Sequence, residues 1–182
     1  EKTWHQYVDS RRLEITCGEA PYLVSRYDVS TGELIVPPLR RIGILDRKLR
    51  IVNENTDTYE EWPKWTTRAF EASYGYEYQG DNVLIARVNL LLTFTDYYEE
   101  RWGQQPDGKL LDQIANKIAW NIWQMDGLKD TVPLGKPYEE FRQMTLFDML
   151  GGEPDGDKDE PEAVPCRIFN WRSKTSMKFM DI

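Results

Sequence analysis

Three short segments that read as strands are separated by stretches that read as helices, and this alternation limits the fold more than any other feature of the sequence. Arg11 to Thr16 (RRLEIT) is the first. Ser73 to Tyr78 (SYGYEY) is the second, suited to a strand by its rings, and Trp120 to Met125 (WNIWQM) is the third. After the second strand, VLIARVNLLLTFTDYYEERW reads as a long helix with Asp81 or Asn82 as its N-cap, apolar enough to require burial against a sheet. Another helix is expected over 108–119, where Leu111, Ile114 and Ile118 share a face. Between the first two strands, Cys17-Gly18-Glu19 reads as a turn into a helix with Pro21 in its first turn, where a missing N–H does no harm. IGILDRKLRIV and TYEEWPKWTTRAFEASYG are also helical by apolar spacing, the latter with Trp65, Ala69 and Phe70 on one side. Strands alternating with helices build a parallel sheet joined by helical crossovers, so the fold class is α/β.

A length of 182 residues suits one domain. Residues 1–150 are read as that α/β domain, with an insertion at 28–70 that contains the Thr31-Gly32 turn and the Pro37-Pro38 break. GGEPDGDKDEPEA at 151–163 is an acidic flexible loop by composition. Residues 164–182 are read as a β-hairpin turning at Arg172-Ser173-Lys174, or as the start of the next strand. The chain opens on Glu1 rather than Met and is read as a trimmed or internal piece.

Composition removes several function classes. Hydrophobic residues at 40% and aromatics at 13% supply a core, which excludes wholesale disorder. No apolar run approaches the roughly 18 residues that cross a bilayer, and no signal-peptide stretch opens the chain, so a cytoplasmic protein is expected. Cys17 and Cys166 are too few for a disulfide framework or a four-cysteine metal site. His5 is the only histidine, which excludes multi-histidine metal sites and, unless His5 is the base, histidine-assisted nucleophiles; no metal is expected. A net charge of -8 argues against strong nucleic-acid binding by the chain as a whole, since phosphate contact depends on Lys and Arg. Such contact would need a local patch or sequence outside this chain.

In open parallel sheets ligands lie beyond the C-terminal strand ends, which directs attention to three places. Gly18, past the first strand, lets backbone approach a ligand closely, and the helix expected next would aim its N–H groups at a carboxylate or phosphate. Glu77, at the second, can accept two hydrogen bonds from paired ribose hydroxyls. Asp126, at the third, can accept from an exocyclic amine such as that of adenine. Each alone also reads as a strand-end charge or a turn residue; together they point to a nucleoside-containing cofactor.

Leu13-Glu14-Ile15-Thr16-Cys17-Gly18-Glu19-Ala20-Pro21-Tyr22-Leu23 resembles the first motif of the adenine-N6 DNA methyltransferases of restriction-modification systems, commonly Leu-Glu-Pro-(Ala/Ser)-Cys-Gly-x-Gly-x-Phe-Leu. Tyr74 to Asp81 resembles their second motif, and Asn121 to Leu128 their third. The resemblance implies a Rossmann-like S-adenosylmethionine-dependent fold. It implies cofactor contacts from Glu14, Thr16, Cys17 and Gly18 to the methionine part, from Glu77 and Tyr78 to the ribose, and from Asp126 to the adenine amine. It also implies DNA as a partner, held through parts of the full protein outside this chain, and an associated restriction or specificity subunit.

The chain departs from the family at several points. Ile15 stands where the family has Pro, and Ala20 where Gly is common. The fourth, catalytic motif, (Asp/Asn/Ser)-Pro-Pro-aromatic, is missing: the only Pro-Pro is Val36-Pro37-Pro38-Leu39, so no catalytic residue is assigned. Lys178 to Ile182 is expected to lead into a fourth strand before that motif. Two other readings remain open. One is a non-catalytic interaction module on the same fold. The other is a nicotinamide-dependent oxidoreductase, which calls for Gly-x-Gly-x-x-Gly where only Gly18 stands at the turn.

Overall fold

Every residue of Ser73–Glu77 is buried, which makes this strand, β2, the centre of the sheet. In the computed structural model, which describes residues 3–133 and 163–182, β1 (Arg12–Glu14) lies on one side of β2 and β3 (Ile122–Gln124) on the other. Both pairings are parallel, with Leu13 opposite Tyr74 and Tyr76 opposite Trp123. The protein is α/β, with a three-stranded parallel sheet in the order β1-β2-β3.

Parallel neighbours require long crossovers. The first runs through a loop and then α2 (Ile44–Asn55) and α3 (Glu61–Glu71), the second through α4 (Gly80–Trp102) and α5 (Gly108–Asn121). A short N-terminal helix, α1 (Trp4–Val8), packs beside α2. α4 begins at Gly80 without a side-chain cap, so neither Asp81 nor Asn82 caps it; Asp81 sits in the first turn, where the helix dipole favours a negative charge. The 28–70 segment, read from sequence as an insertion, contains α2 and α3. These supply Leu45, Leu49, Val52, Trp62 and Phe70 to the same core as Leu90, Phe94, Ile114 and Ile122. It is the β1-to-β2 crossover itself.

Period-two alternation gives the sheet two different faces. Ser73, Gly75 and Glu77 alternate with Tyr74 and Tyr76, and the latter two join Trp123, Met125 and Cys166 in a second apolar cluster. The antiparallel hairpin of β4 (Arg167–Asn170) and β5 (Thr175–Lys178) covers that cluster with Ile168, Trp171 and Phe179. Side-chain hydrogen bonds seat it: Tyr74 hydroxyl donates to Phe169 C=O at 3.2 Å, Trp171 Nε1 donates to Asn121 Oδ1 at 2.8 Å, and Arg172 Nη2 donates to Asp9 C=O at 2.8 Å. The hairpin read over 164–182 is therefore present, but Phe179–Asp181 is a 3₁₀ turn rather than the lead into another strand. The acidic run at 151–163 lies, but for Ala163, outside the described residues. No described helix is long and apolar enough to cross a membrane.

Candidate cofactor-binding site

The three acids at 14, 77 and 126 stand at the C-terminal ends of adjacent parallel strands, and the loop after β1 joins the first two. Leaving Glu14, the chain passes through left-handed backbone at Thr16 (φ 48°), Gly18 (φ 53°) and Ala20 (φ 63°). Cys17 N–H donates to Tyr76 C=O at 2.8 Å, which folds the loop back over the end of β2. Gly75 makes room for this: a Cβ there would lie 3.1 Å from Cys17 Sγ.

Glu77 holds the loop from below. Its Oε2 accepts Gly18 N–H at 2.9 Å and its Oε1 accepts Gln79 N–H at 3.1 Å. An ionised carboxylate has about four acceptor positions, so among the described residues each oxygen keeps one for a further donor. Glu14 is committed elsewhere: its two oxygens accept Leu23 N–H at 2.9 Å and Tyr22 N–H at 3.4 Å. Burial lifts the Glu14 carboxyl from its ordinary 4.5 to about 7, although the bonds from Tyr22 and Leu23 pull it down. Burial first, then the neighbouring Glu14 and Glu77, push the Cys17 thiol up to about 12 and leave it un-ionised near neutrality.

The helix expected after Gly18, with Pro21 in its first turn, does not form; residues 15–43 hold turns, an isolated bridge and one 3₁₀ turn. The groups that helix would have used are spent elsewhere. Tyr22 and Leu23 give their N–H groups to Glu14, and their carbonyls accept Ile44 and Leu45 N–H at 2.7 and 2.9 Å, capping α2. No helix N-terminus therefore faces a ligand phosphate or carboxylate at this loop.

The remaining sequence-derived residues are placed less tightly. Thr16 is exposed and its hydroxyl donates to Ile15 C=O. Tyr78 has an exposed ring, while its C=O accepts Gln124 Nε2 at 2.8 Å. Asp126 is half-buried; its Oδ1 accepts Leu128 N–H at 3.0 Å, and no bond among the described residues ties it to the Glu14–Glu77 loop. In the Val36-Pro37-Pro38-Leu39 segment, Pro38 C=O accepts the buried Tyr97 hydroxyl at 2.9 Å.

No family model, curated protein or solved structure matches the chain. The site is therefore argued from its own geometry. Sequence reasoning missed two supports of that geometry. Asn89 on α4 donates to Glu19 C=O at 3.1 Å, and Asp46 Oδ2 accepts the N–H groups of Ser25 and Gly43 at 2.8 and 3.2 Å, ordering the far end of the loop. A glycine inside an aromatic strand, Gly75, is the one local sign that another part of the chain, the Cys17 side chain, packs closely there.

Proposed function

We propose that this chain is the S-adenosylmethionine-binding part of an adenine-N6 DNA methyltransferase of the restriction-modification type. The reading rests chiefly on Glu77: it ends the central strand, touches the turn after the first strand through Gly18, and among the described residues keeps an acceptor position on each oxygen for a further donor. A vicinal diol is the natural complement of two adjacent free acceptors. The strand order supports the same reading, because three parallel strands in the order β1-β2-β3 match one half of a doubly wound sheet, a fold in which ligands lie past the carboxyl ends of the strands.

Within this reading the residues bind and orient. Glu77 accepts the ribose hydroxyls, and Gly18 brings backbone close to the ligand without a Cβ in the way. Tyr78 offers an exposed ring beside the ribose, and Oδ2 of Asp126, which takes no hydrogen bond among the described residues, accepts the adenine amine. Glu14 and Cys17 act indirectly: the first holds Tyr22 and Leu23, the second packs on Gly75, and both fix the loop that carries Gly18. When bound, S-adenosylmethionine supplies a methyl group on a good leaving group, so positioning provides much of the rate and no covalent enzyme intermediate is needed. The target adenine would be turned out of the duplex into a pocket built by residues outside these 182.

Calorimetric titration with S-adenosylmethionine and with NAD tests the proposal. Binding of the first and not the second is expected, and Glu77→Ala should weaken it by about 1.5–3 kcal/mol, roughly 10- to 150-fold, with a melt to verify folding. Binding of neither ligand by a folded chain overturns the cofactor reading in favour of an interaction module.

A further inference from the structure

β2 covers one side of β1, and no strand among the described residues covers the other. Arg12 N–H donates to Ala72 C=O at 3.0 Å, and alternate residues of a parallel strand turn their backbone groups to opposite sides. Leu13 therefore points its N–H and C=O away from β2, where neither meets a partner among the described residues. Leu13 and Ile15, two positions apart and so on one face, are 41% and 63% exposed. An edge with bare backbone groups and exposed apolar side chains is a template for another strand.

Beside that edge runs a groove of about 530 Å³, with Leu13 and Tyr74 on its sheet side and Phe169 and Met177 on the hairpin. Its two ends differ in charge. Arg11, Arg12 and Asn170 line the end near the hairpin turn, where Arg172 reaches Asp9. Asp130 and Ile182 line the end near the hairpin base, where Cys166 N–H donates to Asp130 C=O at 2.9 Å and Phe179 N–H to Cys166 C=O at 2.9 Å. Among the described residues, Arg11, Arg12 and Asp130 form no salt bridge, with each other or with any other group. The groove is thus basic where β1 begins, apolar along its middle and acidic past its end.

We infer that this groove seats an extended polypeptide segment from outside these 182 residues, which adds to β1 as a parallel strand. The walls define its chemistry: a carboxylate where it meets Arg11 and Arg12, apolar side chains against Leu13, Phe169 and Met177, and a basic side chain where it meets Asp130. Leu13 N–H and C=O supply ladder bonds, which give affinity, while the apolar wall takes alternate side chains of the segment, which gives selectivity. The direction follows from the two existing pairings, both parallel, because sheets of one kind are over-represented. A second copy of this chain does not offer such a segment at β1, which carries arginines where the groove calls for a carboxylate. Strand addition here neither requires nor excludes S-adenosylmethionine binding, so either proposal can fail alone.

The test is fluorescence anisotropy of a labelled, amide-capped peptide, Glu-Val-Ile-Val-Ile-Lys, titrated with the chain. Saturable binding is expected, together with slowed hydrogen exchange at the Leu13 amide read by NMR. Proline in place of the peptide's third residue removes a ladder donor and should weaken binding about tenfold. Gln at both peptide ends keeps its net charge at zero but removes the match to Arg11, Arg12 and Asp130, and should also weaken binding. Leu13→Pro deletes the outward N–H of β1 and spares the β1–β2 ladder, so it should lower peptide affinity about tenfold in a chain that melts like the parent. The exchange measurement on the intact chain decides the matter if that variant does not fold. Absence of binding, equal binding of the proline or Gln-ended peptide, or unchanged exchange at Leu13 overturns the inference. So does a dimer in sedimentation velocity whose formation protects the Leu13 amide, since a second copy then occupies the edge.

Discussion

Glu14 shows how a single carboxyl can serve the loop at a cost to the fold. It orders residues 22 and 23 through two N–H bonds, yet burial lifts it to about 7 from an ordinary 4.5. Folding therefore favours its protonated form, and the stability this group contributes is complete below about 4.5 and is lost as pH rises through about 7. Glu14→Gln, which cannot ionise, should flatten that part of the pH profile; urea midpoints of parent and variant at pH 5 and pH 8 measure it, and parallel profiles would contradict the assignment. Gly75 presents the opposite case, a residue whose value lies in what it lacks. Gly75→Ala drives a methyl group to 3.1 Å from Cys17 Sγ, 3.2 Å from Cys17 Cβ and 3.3 Å from Ile122 Cδ1. Overpacking of this kind costs about 1–3 kcal/mol, readable in thermal melts, and it should also displace the loop that carries Gly18.

Among the elements, α2 is fixed to the sheet by a charge as well as by its apolar stripe. Lys48 is buried at the start of β1 and β2, where its ammonium donates to Ser10 C=O at 2.7 Å, Ala72 C=O at 3.0 Å and Ser73 Oγ at 3.4 Å. Burial draws the Lys48 amine down to about 7, with Arg12 nearby acting in the same direction. Lys48→Met keeps the apolar volume and strands the acceptors, so a loss of about 1–3 kcal/mol in urea unfolding is expected. The elements themselves were largely legible, since Ser73–Glu77 announces itself by aromatic residues and α2, α3 and α5 by apolar spacing. The loop between β1 and α2 was not. Its shape is set by Glu14 reaching eight and nine residues ahead and by Asp46 reaching back 21 to Ser25, bonds that no local pattern encodes. A proline placed where a first helical turn begins misled for the same reason: Glu14 had already claimed the N–H groups that follow it.

For the whole molecule, net charge proved a poor guide to any one surface. The total of -8 hides a cleft lined by Arg11, Arg68 and Arg172, three residues far apart in sequence that only the fold brings together. The candidate site was legible to a similar depth: the strand ends bearing Glu14, Glu77 and Asp126 could be named, while their different hydrogen-bond commitments could not. The two sulfhydryls carry a practical corollary. Both Cys17 and Cys166 are shielded from solvent, with thiols raised to about 12 and 11, so maleimide or iodoacetamide reagents should pass them by in the native protein at neutral pH. One new cysteine installed at the exposed Lys174 could then carry a single fluorophore with no need to remove the native pair.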